Sequence, residues 1–202
     1  MGNTISHYRK LKVIEFDGIA TYYGQFISQR ESEMLYSQMI NWHLWNQNEI
    51  KIFGKKIKVP RLEAYFALNG EQYGYSGQNL EINPFPEFLN NLRLRISQCT
   101  NYPYNALLVN LYRNGNDSNG WHSDDERTLG INPSIASLSL GCARTFEFKH
   151  KQLNINKKIV LENGSLLHMY GPIQHNYKHQ LPKVPNLEQT RINLTFRWVH
   201  PH

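Results

Sequence analysis

The chain has 202 residues, of which 40% are hydrophobic and 12% aromatic, and its formal net charge at pH 7 is +6. This length suits a single domain with one sizeable core, and the apolar content excludes a disordered chain. Two cysteines are too few for a disulfide framework, and no apolar run reaches the roughly 20 residues that span a bilayer. We expect a soluble intracellular protein, nuclear or cytoplasmic, with both thiols buried. The basic charge favours a polyanionic partner such as nucleic acid.

The N-terminal half combines helical segments with loops. Apolar residues at near-helical spacing, Met34 among them, predict a helix over 28–40 with Ser28 as its N-cap. Glycine and proline predict loops and short hairpins over much of 51–87. A second helix is predicted over 86–96, because proline suits a first turn and the apolar residues that follow share one face.

From residue 104 onward, short segments rich in strand-forming residues are separated by turn residues and predict β-strands. The predicted strands span 106–112, 135–140, 145–149, 157–161, 165–169 and 191–198. The last strand alternates most clearly, because its odd-numbered positions are polar from Arg191 to Arg197 and its even-numbered positions are apolar. Many short strands around a polar interior predict a jelly-roll or barrel with the helices packed outside.

One short segment carries candidate metal ligands. His122 and Asp124 are two positions apart, so in an extended backbone both side chains leave on the same side. Two histidines and one carboxylate form the facial triad that binds Fe(II) and leaves positions open for a cosubstrate and dioxygen. Three later histidines compete for the third position. We choose His179, just before the cationic strand, over His168 in an apolar strand and His175 in a turn.

The final strand suggests an anion site. Arg191 and Arg197 on an interior face would need anions, and a small dicarboxylate between them would satisfy both guanidinium groups. The alternative is an exposed face with two solvated arginines, but Asn193 continues the polar stripe opposite an apolar face. Asn110 and Tyr112 also share one face of their strand and offer an amide and a hydroxyl to the same acid.

Five segments occur in one order along the chain: Asn110-Leu-Tyr-Arg-Asn-Gly115, Trp121-His-Ser-Asp-Asp-Glu126, Ile135-Ala-Ser-Leu-Ser-Leu-Gly141, His179-Gln-Leu-Pro182 and Arg191-Ile-Asn-Leu-Thr-Phe-Arg197. In this ordered set, and over about 53–199, the sequence resembles the AlkB-type nucleic-acid dealkylases, a family of Fe(II)- and 2-oxoglutarate-dependent dioxygenases. The resemblance implies an α+β, mainly β fold for a single domain, residues 1–202. A double-stranded β-helix (jelly-roll) core over about 104–200 would carry flanking helices and an N-terminal nucleotide-recognition lid within about 1–100.

The resemblance also implies roles for individual residues. Iron would be held by His122, Asp124 and His179, with dioxygen as a second cosubstrate. The residues implied to bind 2-oxoglutarate are Asn110, Tyr112, Arg191, Asn193 and Arg197. The residues implied to lie on the substrate side are Phe53, Arg61, Tyr73, Tyr75 and Glu126.

The implied reaction is oxidative removal of alkyl groups from DNA or RNA bases, of the 1-methyladenine or 3-methylcytosine type, by a monomer in direct-reversal DNA repair.

Two basic segments suit phosphate contacts, the second being 149–151. The first consists of Lys51, Lys55, Lys56, Lys58 and Arg61. Two alternatives are a dioxygenase of the same fold that acts on RNA modification or protein, and a catalytically silent nucleic-acid binder.

Overall fold

The computed structural model describes residues 9–52, 54–74 and 80–200. In the first half of these residues the strands are β1 Arg9–Ile14, β2 Ile19–Gly24, β3 Glu49–Ile52, β4 Lys55–Lys58, β5 Leu62–Ala67 and β6 Ile82–Asn83. In the second half they are β7 Ala106–Tyr112, β8 Asn119–His122, β9 Ile135–Gly141, β10 Arg144–His150, β11 Asn156–Leu161, β12 Leu166–Tyr170, β13 Tyr177–Leu181 and β14 Arg191–Arg197. The helices are α1 Gln29–Met39, α2 Glu87–Thr100 and the short α3 Ile173–Asn176.

Two sheets build the core of the fold. The major sheet has the order β1-β2-β12-β9-β14-β7-β5-β6, and the minor sheet has the order β11-β10-β13-β8. Side chains from both sheets line one common cavity, so the two sheets enclose a polar interior. This is the predicted double-stranded β-helix, or jelly-roll. Strands β3 and β4 form a separate antiparallel hairpin.

Strand β14 lies inside the major sheet, with a hydrogen-bonded neighbour on each of its two edges. It pairs antiparallel with β7 and β9, so Arg191 is opposite both Tyr112 and Gly141. Its apolar face is fully buried in a core cluster that also holds apolar residues of α1 and α2. The helices therefore cover the outer face of the sheet, and the polar face of β14 lines the cavity.

Both predicted helices are present. Ser28 caps α1 as predicted, and its side-chain oxygen accepts from the Glu31 backbone N–H at 3.2 Å. Met34 is exposed, so its expected place on the apolar face of α1 was wrong. The second helix continues four residues beyond the predicted end at Ile96 and stops where Asn101 adopts a left-handed conformation with φ of 61°.

The strands were predicted more accurately after residue 104 than before it. All six predicted strands are present with ends within one residue of the predicted ones. However, residues 51–87 contain β5, which pairs with β7 inside the major sheet, so the prediction of mostly loops there was incomplete.

The expectation that both thiols are buried was wrong, because Cys99 and Cys142 are partly exposed and free. Among the described residues, no helix is long and apolar enough to cross a bilayer.

Candidate active site

Two histidines lie side by side on neighbouring strands of the minor sheet. His122 ends β8, His179 lies in β13, and the two residues are paired directly in the strand register. Their Nε2 atoms are 3.1 Å apart. Phe146 and Phe148 of β10 pack against the His179 ring, with ring centroids 5.3 and 6.3 Å away. Strand pairing and aromatic packing therefore hold the two imidazole nitrogens close together.

The His122 ring has a defined tautomer. Its Nδ1 lies 2.7 Å from the Gly120 carbonyl oxygen, so Nδ1 carries the hydrogen and donates. Nε2 of the neutral ring then bears a lone pair, to which Asn119 Nδ2 donates at 3.2 Å. Burial lowers the pKa of His122, and burial together with His122 lowers the pKa of His179 to about 3. Both rings are therefore neutral near pH 7, the state in which histidine ligates a metal.

Asp124 completes the cluster two residues beyond the end of β8. Its Oδ2 accepts from Arg197 Nη2 at 3.0 Å, and its Oδ1 lies 3.7 Å from His122 Nε2. Burial alone raises the pKa of the Asp124 carboxyl, but Arg197 and the two imidazoles outweigh burial and hold that pKa below its ordinary value. The Gln174 side-chain oxygen accepts from the Asp124 backbone N–H at 2.9 Å and fixes the chain at this point.

These three side chains could serve together as the donor set of a facial metal site. One ligand atom from each of His122, Asp124 and His179 lies within 4.8 Å of the others. Two neutral imidazoles and a carboxylate suit Fe(II) and leave coordination positions for other ligands. The donor set thus fits the iron expected from the sequence. Within residues 9–52, 54–74 and 80–200, no other cluster of histidine, cysteine and acidic side chains meets the same criterion.

The polar face of β14 forms a hydrogen-bonded stripe behind the metal ligands. Arg191 Nη2 donates to Ser139 Oγ at 2.9 Å and to Asn193 Oδ1 at 2.8 Å. Asn193 also accepts from Ser137 Oγ at 2.9 Å and donates to Thr195 Oγ1 at 2.7 Å. The stripe is therefore tied together internally, and its alternation is the one that the sequence predicts.

Two buried guanidinium groups retain unused hydrogen-bond donors. In the described part of the chain, Arg191 Nε and Arg197 Nε and Nη1 are buried without a hydrogen-bond partner. Arg197 has a carboxylate partner in Asp124, whereas Arg191 has none among the described residues. Burial lowers the pKa of Arg191 to about 10, so it remains cationic at neutral pH. A buried cation with an unused donor fits a small anion in this cavity.

Tyr112 and Asn110 lie beside Arg191 on β7. The Tyr112 ring centroid is 5.5 Å from Arg191 Cζ and 6.0 Å from Arg144 Cζ, so the phenol is flanked by two guanidinium groups. Burial raises the pKa of Tyr112, which keeps its hydroxyl protonated and able to donate. Asn110 Oδ1 accepts from Arg61 Nε at 3.0 Å. Both side chains line the cavity with the metal ligands, as the sequence predicts.

Two residues predicted on the substrate side lie next to Arg197. The Tyr73 ring centroid is 5.2 Å from Arg197 Cζ, and the Tyr73 hydroxyl donates to Glu126 Oε1 at 3.2 Å. Burial and the nearby Asp124 raise the pKa of the Glu126 carboxyl to about 7. This pair therefore adjoins the metal ligands through Arg197. Phe53 and Tyr75, two further predicted members of this group, fall outside the residues that the structure describes.

Two basic residues that were predicted to lie at the surface are buried. Arg61 is 6% exposed and pairs with Glu63, so its assignment to a surface lysine cluster was wrong. His150 is 3% exposed and bonds Asp17, so it cannot join a surface phosphate contact. The cause is the same in both cases, since an acidic partner allows a basic side chain to be buried. Exposed lysines of the hairpin are Lys55, Lys56 and Lys58.

Four site residues received no role from the sequence. Ser137 and Ser139 carried a signal, because two serines alternate in an otherwise apolar strand and therefore share one face. Gln174 precedes His175 in the short helix α3, and nothing in its sequence context marks it as a partner of the Asp124 backbone. Asn119 and His122 are three positions apart, so strand alternation does not predict that they share a face. A register shift in β8 brings them together.

Comparison with known proteins adds independent findings. A sequence profile of the 2OG-Fe(II) oxygenase superfamily matches residues 19–197. The human alpha-ketoglutarate-dependent dioxygenase alkB homolog 3 is 38% identical over 190 residues, which cover 89% of this chain and 65% of that protein. The bovine DNA oxidative demethylase ALKBH2 is 31% identical over 199 residues, covering 93% of this chain and 72% of that protein. This chain thus spans slightly less than two thirds of the length of alkB homolog 3.

A solved structure supports the fold. The structure of OsALKBH1 superimposes with a TM-score of 0.62 at 18% sequence identity, and the match covers 89% of this chain and 96% of that one. At this identity the likeness concerns the fold alone. It agrees with the two-sheet architecture described above.

Proposed function

Because the chain belongs to the 2OG-Fe(II) oxygenase superfamily and, within it, to the AlkB-type dioxygenases, we propose that it removes alkyl groups oxidatively from nucleic-acid bases. The observation that carries the proposal is the convergence of His122, Asp124 and His179 at a cavity that also holds Arg191 with unused donors. The named activities of the two relatives support the same reaction class.

The metal ligands would be His122, Asp124 and His179. When bound, Fe(II) with 2-oxoglutarate supplies the activation of dioxygen that this superfamily uses for oxidation. Arg197 keeps the Asp124 carboxyl ionised and holds one of its oxygens at 3.0 Å, which leaves Oδ1 as the oxygen nearer the histidines. Gly120 fixes the tautomer in which His122 Nε2 bears the lone pair, and a metal bound there would take the place of the Asn119 donor.

The cosubstrate would lie along the polar stripe of β14. Arg191 offers an unused Nε donor in the buried interior, and a charge-assisted hydrogen bond to a carboxylate is favourable there. Tyr112 adds a protonated hydroxyl beside Arg191, and Asn110 and Asn193 add amides. A dicarboxylate such as 2-oxoglutarate would bind the metal at one end and Arg191 at the other, since the metal ligands and Arg191 line the same cavity. We assign Arg197 to the metal-side end.

The nucleic-acid substrate would lie on the side of Glu126, which the buried Tyr73 holds through its hydroxyl. These two residues adjoin Arg197, so a base beside them comes close to the metal ligands. A base in a duplex must leave its stack to reach such a site, and alkylation that has already broken its pairing lowers the cost. The exposed hairpin lysines favour a phosphate-bearing substrate over a protein one. We include Phe53 and Tyr75 as base-contacting residues on the resemblance alone.

The acting unit is proposed to be one chain, residues 1–202, folded as a single catalytic domain. All three metal ligands and all proposed cosubstrate contacts come from the same chain, so a monomer suffices. A repair reaction on bases requires access to nucleic acid, which supports a location inside the cell, nuclear or cytoplasmic.

Turnover with a modified oligonucleotide tests the proposal. The purified protein would be loaded with Fe(II) and 2-oxoglutarate without oxygen and then exposed to air with an oligonucleotide containing 1-methyladenine or 3-methylcytosine. We expect loss of the methyl mass in step with succinate formation, and neither event in His122→Ala. Succinate formation without any change in the base would contradict the nucleic-acid substrate, and absence of succinate despite bound iron would contradict the reaction class.

A further inference from the structure

Arg61 lies in the cavity with the metal ligands instead of among surface lysines. Its Nε donates to Glu63 Oε1 at 2.9 Å and to Asn110 Oδ1 at 3.0 Å. Its Nη1 donates to Asn119 Oδ1 at 3.2 Å, and its Nη2 is 2.9 Å from Glu63 Oε1. Arg61 therefore contacts one amide on β7 and one on β8, from opposite sheets.

The charge of Arg61 is balanced by a carboxylate that is itself held in place. Glu63 is 1% exposed, and its Oε2 accepts from Asn48 Nδ2 at 2.9 Å. The backbones of Glu63 and Asn46 pair as an antiparallel bridge. Arg61 and Glu63 are two positions apart at the start of β5, so both side chains leave the strand on the same side. The guanidinium plane is thus fixed by a carboxylate that cannot easily move.

A guanidinium group dictates how neighbouring amides are turned. Arginine has donors and no acceptor, so a side-chain amide beside it must present its oxygen and not its nitrogen. Asn110 and Asn119 both present Oδ1 to Arg61. The Nδ2 donor of each amide is consequently directed away from Arg61, and that of Asn119 reaches His122 Nε2 at 3.2 Å. Without Arg61, either amide could rotate by half a turn at little steric cost.

We infer that Arg61 is a positioning residue, which turns the Asn110 amide so that its Nδ2 can donate to the proposed cosubstrate, and which holds the Asn119 amide beside His122. This inference rests on the proposed function and assigns Arg61 a role different from contact with the nucleic-acid substrate. Arg61 acts through the two amides, and Glu63 acts by holding Arg61. The expected consequence of losing Arg61 is weaker 2-oxoglutarate binding, not weaker binding of the oligonucleotide.

Equilibrium binding without oxygen tests the inference. The affinity of the Fe(II)-loaded protein for 2-oxoglutarate would be measured from the charge-transfer absorption of the complex, and the affinity for a methylated oligonucleotide from fluorescence anisotropy. We expect Arg61→Met to weaken 2-oxoglutarate binding by about 10- to 100-fold, the usual effect of removing an outer-shell partner. We expect the oligonucleotide affinity to change less than threefold. The opposite pattern would show that Arg61 contacts substrate and would overturn the inference.

Additional variants separate positioning from folding. Arg61→Met removes the arginine partner of the buried Glu63 carboxylate, so the double variant Arg61→Met/Glu63→Gln, which removes both charges, is measured in parallel. Arg61→Lys keeps the charge without the planar fork and should give an intermediate affinity for 2-oxoglutarate. Arg95→Met removes the partner of Glu31 between the two long helices and serves as the matched control, with wild-type affinity expected. Wild-type 2-oxoglutarate affinity in a folded double variant would also overturn the inference.

The outcome distinguishes this inference from the proposed function. If the wild-type protein binds 2-oxoglutarate and both Arg61 variants bind it equally well, only the role of Arg61 is wrong. If the wild-type protein binds 2-oxoglutarate but leaves the oligonucleotide unchanged under turnover conditions, the proposed substrate is wrong and the Arg61 comparison stands. If the wild-type protein does not bind 2-oxoglutarate, both are wrong.

Discussion

Arg191 and Arg197 share one face of β14, yet they have different electrostatic surroundings. Arg197 Nη2 lies 3.0 Å from Asp124 Oδ2, whereas Arg191 bonds two neutral oxygens. The sequence predicts that both arginines face the interior, because the alternation of β14 is regular. It does not predict the Asp124–Arg197 pair, which depends on how the loop after β8 folds over the sheet. Arg191 is thus the arginine better suited to a dicarboxylate.

Substitution of Arg191 should separate cosubstrate binding from metal binding. In Arg191→Met, the loss of a charge-assisted hydrogen bond of about 1.5–3 kcal/mol should weaken 2-oxoglutarate binding by roughly 10- to 150-fold. Fe(II) affinity should stay near the wild-type value, because Arg191 forms its hydrogen bonds with Ser139 and Asn193, neither of which is a proposed metal ligand. Calorimetric titration without oxygen measures both affinities, with Arg191→Lys as the charge-preserving control. Equal loss of both affinities would contradict the separate roles.

His168 should make the stability of the protein depend on pH. Its imidazole is buried, bonds Ser134 Oγ at 2.9 Å, and burial lowers its pKa from 6.5 to about 4. The unfolded chain therefore binds a proton that the folded chain does not, so this contribution to stability is complete above pH 6.5 and is lost progressively toward pH 4. The loss attributable to His168 amounts to about 3 kcal/mol at most.

Urea unfolding of metal-free protein at pH 7 and pH 4 measures this effect. His168→Gln, which keeps a polar group near Ser134, should lose less stability on acidification than the wild type. His175→Gln serves as the control because His175 is exposed and should leave the pH dependence unchanged. An identical pH dependence in wild type and His168→Gln would refute the assignment.

At the scale of secondary structure elements, the β3–β4 hairpin carries exposed basic side chains. Lys55, Lys56 and Lys58 are exposed along β4, and the hairpin is anchored where Val59 donates its backbone N–H to Asn48 at 2.9 Å. The side chain of the same residue, Asn48, donates to Glu63 of β5. The hairpin is therefore placed to contact phosphates while its base stays fixed to the major sheet.

The lysines of β4 should determine the salt dependence of nucleic-acid binding. Replacing Lys55, Lys56 and Lys58 with glutamine should reduce the slope of log affinity against log salt by about 2, because each lost phosphate contact removes about 0.7–0.9 from the slope. Anisotropy titrations over a series of salt concentrations give this slope. The control is Lys10→Gln/Lys12→Gln on β1, with an unchanged slope. A similar reduction in the control would mean that net charge alone is responsible.

The elements also show what can be predicted from sequence. Strands such as β7, β9 and β14 were predicted because they have seven residues with strong strand-forming composition. Strands β8 and β13 have four and five residues and carry the histidines, so composition and length gave too little signal. Burial of Arg61 was missed because nearby lysines suggested a surface. The acidic residue two positions later was the available signal.

At the scale of the whole molecule, the two sheets enclose an interior that is more polar than a folding core requires. Buried there are Asp124, His179, Asn110, Asn193 and three arginines: Arg61, Arg191 and Arg197. Burying cations and unsatisfied donors is unfavourable unless they have partners. A bound metal and a dianionic acid would supply those partners. The apolar face of β14 and the two long helices form the separate cluster that stabilises the fold.

Ligands should therefore stabilise the folded protein. Mn(II), which has a similar ligand preference to Fe(II), and 2-oxoglutarate added together should raise the melting temperature more than the sum of the two added singly. A ligand at 100 times its Kd contributes about 2.7 kcal/mol if it binds only the folded state. Differential scanning fluorimetry measures the shift, with Asp124→Ala as the control. Equal shifts in wild type and Asp124→Ala would indicate binding elsewhere.

The most direct test of the central claim is a crystal structure of the protein with Mn(II) and 2-oxoglutarate, grown without oxygen and phased to show the anomalous signal of the metal. We predict one strong anomalous peak within bonding distance of His122, Asp124 and His179, with a carboxylate of 2-oxoglutarate bonded to Arg191. A metal peak away from these three side chains, or a cosubstrate that does not contact Arg191, would contradict it.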